Sequence, residues 1–462
     1  MKKWLIGLCI LAAMAAGGWL VYSLYSRTPQ ALLRRLASGR GDREQAIMQL
    51  NVARGDVISP MIQTVLDRSA APAFRCDVLE LLFKRNSRAA EERIEQAIIK
   101  AMKEPEVLLR RKAVAGLVMY GEPKFQVSMI DCLTDPDAQV RRQAYTAFCG
   151  PAGWRDPGEG IWELLSAAQH EHLVKTAQQA VAKEGSPEMK LLAKAVLGRE
   201  IEILGVDATQ AVQTSDVPKA QKLLERALAL DEENCQAQIR LARFHYRHGQ
   251  AQDGIDLARK HKCLIEVPAL SAEPEIDGDP QDKVWSEACA ITRFFKTDAR
   301  WTPLPAAGKS KAMLGHRNGV LYIAVIGYED DLDKLVVKNT ERDSDVWADD
   351  CVELMFDPAM GEKDIYQFAI NPAGALFDMA NFNSKRNFKC QYKAAVFKDR
   401  GYWACEFAIE GKELGNATIA PGTFWSLDIF RSRVGMGSEQ QAVWPTFGQC
   451  QRTDIYPLVM FK

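Results

Sequence analysis

Cys351-Val-Glu-Leu-Met-Phe356 and Ile365-Tyr-Gln-Phe-Ala-Ile370 decide how this chain is read, because both alternate with a period of two. In an extended strand that period puts Val352, Leu354 and Phe356 on one face and Glu353 on the other. It likewise separates Tyr366, Phe368 and Ile370 from Gln367, Ala369 and Asn371. Working outward, 320–326, 402–409 and 425–430 read the same way. Trp403, Cys405, Phe407 and Ile409 share one face, as do Trp425, Leu427 and Ile429, and all of these read as core. Gly, Pro, Asn and Asp punctuate the gaps, so roughly 272–462 is expected to be an antiparallel β-sandwich.

The remainder reads as helical, apart from an apolar start. Lys2 and Lys3 precede an uncharged run from Trp4 to Tyr25, long enough to cross a hydrocarbon layer of about 30 Å. The reading is an uncleaved signal-anchor, since apolar sequence continues well past the small residues at 12–16. Arg27, Arg34, Arg35 and Arg40 on the far flank argue for the opposite orientation to Lys2 and Lys3.

From 29 to 150 amphipathic segments recur. In 105–150 the apolar faces are Leu108, Ala113, Leu117 and Val118, then Val127, Met129, Ile130 and Leu133. Asp137 is placed to cap a helix starting at Ala138. Asp135-Pro-Asp137 with Val140, the two arginines and Ala144, and the earlier 105–113, resemble HEAT-type repeats. From about 216, Ala220 and Gly254 stand at a 34-residue period, and 227–231 with Leu241-Ala242 and Gly249 resembles the tetratricopeptide repeat. Such helix pairs leave apolar faces that only a neighbour covers. The expected fold is multidomain: a transmembrane helix (1–27), an all-α superhelical arm of HEAT-like (28–198) and tetratricopeptide-like (199–266) helices, and the sandwich (267–462).

Composition excludes some functions. Of 462 residues, 59 are basic and 60 acidic, for a net charge of −1, which gives no support for nucleic acid as a partner. The eleven cysteines contain no Cys-x-x-Cys pair, so zinc is set aside. Cys351, Cys390, Cys405 and Cys450 are candidates for one or two bridges, or are buried small hydrophobes. His170 and His172 are two apart, the wrong spacing for one helix face. No nucleophile elbow, phosphate loop or HExxH is present, and a non-catalytic protein is expected.

The polar faces of the strands suggest a ligand. Gln367 and Asn371, opposed by the carboxylate of Glu353, suit a polyol through paired donors and acceptors. Trp347 and Trp444 lie outside clean strands, where an indole either stacks on a sugar ring or closes the sandwich edge. Asp277, Asp349, Asp350 and Asp378 lie in or beside loops; they suit either structural calcium or ordinary turn chemistry.

Taken in order, Pro274-Glu-Ile-Asp-Gly-Asp279, Trp285, 320–325, 347–357, 366–374 with Asp378, 401–409 and 425–431 resemble the family 9 carbohydrate-binding module and its DOMON-related sandwiches. The resemblance implies a site in which two aromatics clamp a sugar beside an acid, a glutamine and an arginine. The matching positions are Trp347, Glu353, Gln367, Asn371 and Arg431, with Trp444 as the second clamp. It also implies calcium in some members and an extracytoplasmic setting. The expected function is therefore a membrane-anchored, periplasmic module binding a saccharide or envelope glycan, attached to the lipid bilayer through its N-terminal helix. The alternative is a scaffolding protein whose helical arm binds protein partners and whose sandwich has no sugar ligand.

Overall fold

The computed structural model describes residues 28–38, 43–52, 56–89, 92–149, 159–297, 304–361, 364–381, 387–443 and 452–462. The chain divides into two compact units, 1–179 and 180–462. A helical region and a C-terminal β region are both present, as the strand and helix periodicities require. The membrane anchor is corrected. Among the described residues no helix is long and apolar enough to cross a membrane, and the segment on which the expectation rested, 1–27, lies outside them. The reading as a membrane-anchored, periplasmic, bilayer-attached protein falls with it.

The first unit is a series of short helices. Its centre is formed by Pro72–Ala89, Glu92–Ala101, Val107–Tyr120 and Ala138–Cys149, which bury Leu79, Leu82, Ile98, Val114, Leu117, Val140 and Ala144. Gly116 exists so that the Phe83 ring can lie on the backbone, since a Cβ there would overlap it. Arginines stitch successive turns. Arg75 donates to Val65 O at 2.7 Å and to Glu104 at 2.8 Å. Arg110 donates to Pro105 O and Asp135, both at 2.8 Å, and Arg141 to Asp135 O at 2.8 Å. Asp137 accepts from Val140 N at 3.1 Å, the expected cap. The bonds to Val65 O, Pro105 O and Asp135 O satisfy carbonyls at helix ends and turns, while Glu104 and Asp135 add charge-assisted links between turns.

The second unit begins with the helices Pro187–Gln213, Val217–Leu230, Cys235–Arg247 and Ala251–Lys260. Ser186, Asp216 and Asn234 cap the first three through their side-chain oxygens. Gly254 permits the expected close crossing, for a Cβ there would sit 2.5 Å from Ala242 O. The 266/267 boundary does not separate compact units, because the Cys235–Arg247 helix is built into the sandwich. Its residues from Cys235 to Phe244 are all buried, and Ile239 and Ala242 join one apolar cluster with Met360 and Leu458. Arg243 donates to Ser426 Oγ at 2.7 Å, Thr453 O at 2.8 Å and Asp357 at 3.3 Å. Arg240 reaches Asp454 at 2.7 Å and Glu202 at 2.8 Å, and Arg452 closes the group onto Glu202 at 2.9 Å.

The strands are β1 (Leu264–Val267), β2 (Cys289–Ile291), β3 (Phe295–Lys296), β4 (Ser310–Arg317), β5 (Val320–Tyr328), β6 (Cys351–Asp357) and β7 (Tyr366–Ile370). They continue with β8 (Leu376–Ala380), β9 (Gln391–Phe397), β10 (Tyr402–Glu410), β11 (Phe424–Arg433), β12 (Glu439–Ala442) and β13 (Leu458–Phe461). One sheet runs β1-β13-β11-β6-β7-β8, with β12 beside β11 and β3 beside β12; the other runs β2-β4-β5-β10-β9. Among the described strands, β1 and β13 are the one parallel pair, beside an isolated parallel bridge between Ala269 and His316. The two sheets enclose the main core, and the expected inward residues of β6, β7, β10 and β11 are all in it. Cys351, Cys390 and Cys405 are free thiols, so the bridges foreseen among them are absent. Alternation explains part of this, since Cys405 faces the main core and Cys351 the opposite side of its sheet. Cys450 and Trp444 lie outside the described residues.

The Pro274–Asp279 motif is a strap over the second sheet. Glu406, on the outer face of β10, accepts from Gly278 N at 2.8 Å, Asp277 N at 3.2 Å and Trp285 Nε1 at 2.9 Å. Burial pushes this carboxyl up to about 7, against those donors. Replacing Glu406 with Ala leaves the buried Gly278 N–H and Trp285 indole N–H without an acceptor, at about 1–3 kcal/mol each. Faster hydrogen exchange at 277, 278 and 285, with β10 itself still protected, is the expected result.

Candidate functional site

Register fixes what the residues of the implied sugar site can reach. Glu353 pairs with Ala369 on one side and Phe430 on the other, and Gln367 pairs with Met355 and Met379. These side chains share the outer face of the first sheet. Arg431 follows Phe430 by one residue and therefore points to the other face. The structure brings Glu353 and Gln367 together and leaves Arg431 across the sheet from them.

Glu353 and Gln367 are both buried, and Gln367 Nε2 donates to Glu353 Oε2 at 2.6 Å. Around them stand Met355, Phe430, Phe377 and Ala369, all buried and apolar. Burial pushes the Glu353 carboxyl up to about 6, with the Gln367 bond opposing it. A folded-state value raised above the ordinary 4.5 means stability that is fully present below about pH 4.5 and lost as pH rises through about 6. The contribution is about 2 kcal/mol. Glu353→Gln is expected to remove that portion of the pH dependence, which denaturant unfolding of both proteins from pH 4.5 to 7 would measure.

Asn371 serves the loops at the end of this sheet. Its Nδ2 donates to Asn339 O at 2.6 Å and to Asp349 at 3.0 Å, and its Oδ1 accepts from Ala373 N and Ala375 N at 3.1 Å. Trp347, 43% exposed, sets its ring edge-on to Phe377 at 4.6 Å. Of the implied residues that are described, only Trp347 presents a substantial surface to solvent.

Arg431 lies between the sheets. It donates to Lys309 O and Ser310 Oγ, both at 2.9 Å, and is ion-paired with Glu329, both side chains being fully buried. Burial lowers Arg431 to about 10 although Glu329 opposes the shift. Arg433 holds the other oxygen of Glu329 at 2.6 Å and Glu439 at 2.6 Å. Gly327 is required beneath this guanidinium, since a Cβ would lie 2.6 Å from Arg431 Cζ. The spacing of Arg431 and Arg433, two apart on one strand, was the available signal for this network.

The four aspartates considered for calcium do not converge. Asp349 accepts from Lys338 N at 3.0 Å and Asn339 N at 2.9 Å, and Asp350 from Val336 N at 2.7 Å and Gly435 N at 3.0 Å. Asp378 pairs with Arg342, and exposed Asp277 accepts from Asp279 N at 2.8 Å. Among the described residues no group of three or more His, Cys, Asp or Glu side chains is placed to hold a metal ion.

In the first unit, Leu108 is exposed rather than buried with Ala113 and Leu117. The helix buries Leu109, Ala113, Val114 and Leu117 instead. Leu108 and Met119, 48% and 72% exposed, lie eleven residues apart, three helical turns or about 16 Å along one face. Between them are half-buried Ala115 and Lys112, whose Nζ holds Glu80 at 2.7 Å.

No protein-family model matches the chain, and neither does any curated protein. Several solved structures are similar in part. One is a Bacteroides uniformis ATCC 8492 protein named for an inferred carbohydrate-binding role, at 12% identity and TM-score 0.35, covering 43% of this chain and 99% of that one. Two engineered proteins match at 14% and 13% identity, with TM-scores of 0.27 and 0.24. Each covers 50% of this chain, and the matches span 63% and 95% of their own chains. Likeness at this level carries no argument about function.

Proposed function

We propose that this protein is a non-catalytic scaffold whose helical first unit binds a protein partner and whose sandwich has no sugar ligand. The observation that carries the reading is the solvent-facing pair Leu108 and Met119 on a helix that already has a complete buried face. Two large apolar side chains held out on one helix face are placed to enter a partner's surface. The state of the sandwich supports the same reading. Its polar residues are engaged with one another, and a sugar would have to break the Gln367–Glu353 bond before reaching either group.

The test pairs the wild-type chain with Leu108→Glu/Met119→Glu. Both positions are exposed, so the variant is expected to fold with unchanged stability. Quantitative affinity capture should then show one protein depleted about tenfold or more by the substitutions, the loss expected when a central apolar contact worth about 1.4 kcal/mol or more is removed. In parallel, tryptophan titration with mono- and oligosaccharides should stay flat. Saturable quenching that disappears in Trp347→Ala would overturn the proposal.

A further inference from the structure

Strand β9 ends the second sheet. It pairs with β10 along one side, and among the described residues no backbone pairs with its other side. An open strand edge carries a row of N–H and C=O groups that accept another strand. Alternation then sets what that strand must carry. Tyr392, Ala394 and Val396 face the core side, and Val396 remains 38% exposed at the rim. Lys393 faces outward and is exposed, as is Lys389 just before the strand, and neither makes an ion pair among the described residues. Lys398 follows, paired with Asp333 at 2.5 Å.

We propose that β9 is a docking edge for an extended, acidic segment of another protein, added to the sheet as a further strand. The segment would place an acidic residue opposite Lys393 and branched apolar residues opposite Tyr392 and Val396. Those apolar residues would extend the main core past its present rim. Charge argues against a second copy of this chain as the occupant, since it would bring its own Lys389 and Lys393 to the same edge. This site belongs to the sandwich and is independent of the Leu108–Met119 surface.

The test uses the full chain and a capped, labelled peptide of alternating glutamate and valine, with a lysine–valine peptide as counterpart. The glutamate peptide should bind saturably by fluorescence anisotropy and slow hydrogen exchange within 391–397. Lys393→Glu should weaken it about fivefold, the size of a cross-strand charge pair, and should turn preference toward the lysine peptide. Val396→Lys should weaken both peptides. No binding by the glutamate peptide, equal binding to wild type and Lys393→Glu, or slowed exchange elsewhere than 391–397 would each overturn the proposal. So would a concentration-dependent dimer, seen by sedimentation without peptide, that Val396→Lys abolishes, since the occupant would then be a second copy.

Discussion

Arg243→Met lowers the stability of the 180–462 unit by about 3–5 kcal/mol, the usual consequence of removing one partner from a buried ion pair. The guanidinium ties the Cys235–Arg247 helix to the ends of β6 and β11. It meets Asp357, Ser426 and the carbonyls of Thr453 and Met360. Asp357 is fully buried, so its carboxylate stays inside the fold and loses this cation. The methionine fills much of the volume, which makes the electrostatic loss the main effect. Denaturant unfolding of the full chain measures it. A change below 1 kcal/mol would show that the helices lean on the sandwich without being locked to it.

Arg431→Met is expected to destabilise by a similar amount, about 3 kcal/mol or more, for a related reason. Glu329 keeps Arg433 on both oxygens but loses the charge of Arg431, and Ser310 Oγ and Lys309 O lose their donor inside the core. Replacing Arg431 and Glu329 together by apolar residues should recover part of the loss, because burying two paired charges is itself unfavourable. Gly327→Ala should be damaging only while Arg431 is present, since the added methyl meets that guanidinium. Double-mutant analysis of stability separates these effects. If Arg431→Met proved neutral in stability, the guanidinium would be free to serve a ligand, contrary to its place in the core.

The sandwich was legible because strand alternation reports the face that is buried, and the inward residues of β6, β7, β10 and β11 carried it plainly. The same alternation already placed Arg431 on the core side, in step with Trp425, Leu427 and Ile429. It was the family resemblance that set it beside Glu353. Glu353 and Gln367 were assigned correctly to the outer face, but a period of two cannot tell an outer face in water from one that is covered. The helical junction was hidden for a similar reason. An amphipathic pattern in 235–247 reads alike whether the apolar side meets a helix or a sheet, and the positions of Arg240 and Arg243 in that pattern do not tell a buried cation from a surface one. Leu108 was misplaced by one position because Leu108 and Leu109 are both apolar, and only packing chose between them. The arginine bonds between helical turns depend on backbone carbonyls, which no side-chain pattern displays.

The most direct test of the scaffold account is photo-crosslinking with a benzophenone amino acid placed singly at 108, 119 and 347 in the full-length chain, in its native cells. The account predicts the same discrete protein adduct from positions 108 and 119, and none from 347. Adduct-free chains at both helical positions, with glycan attached at 347, would contradict it.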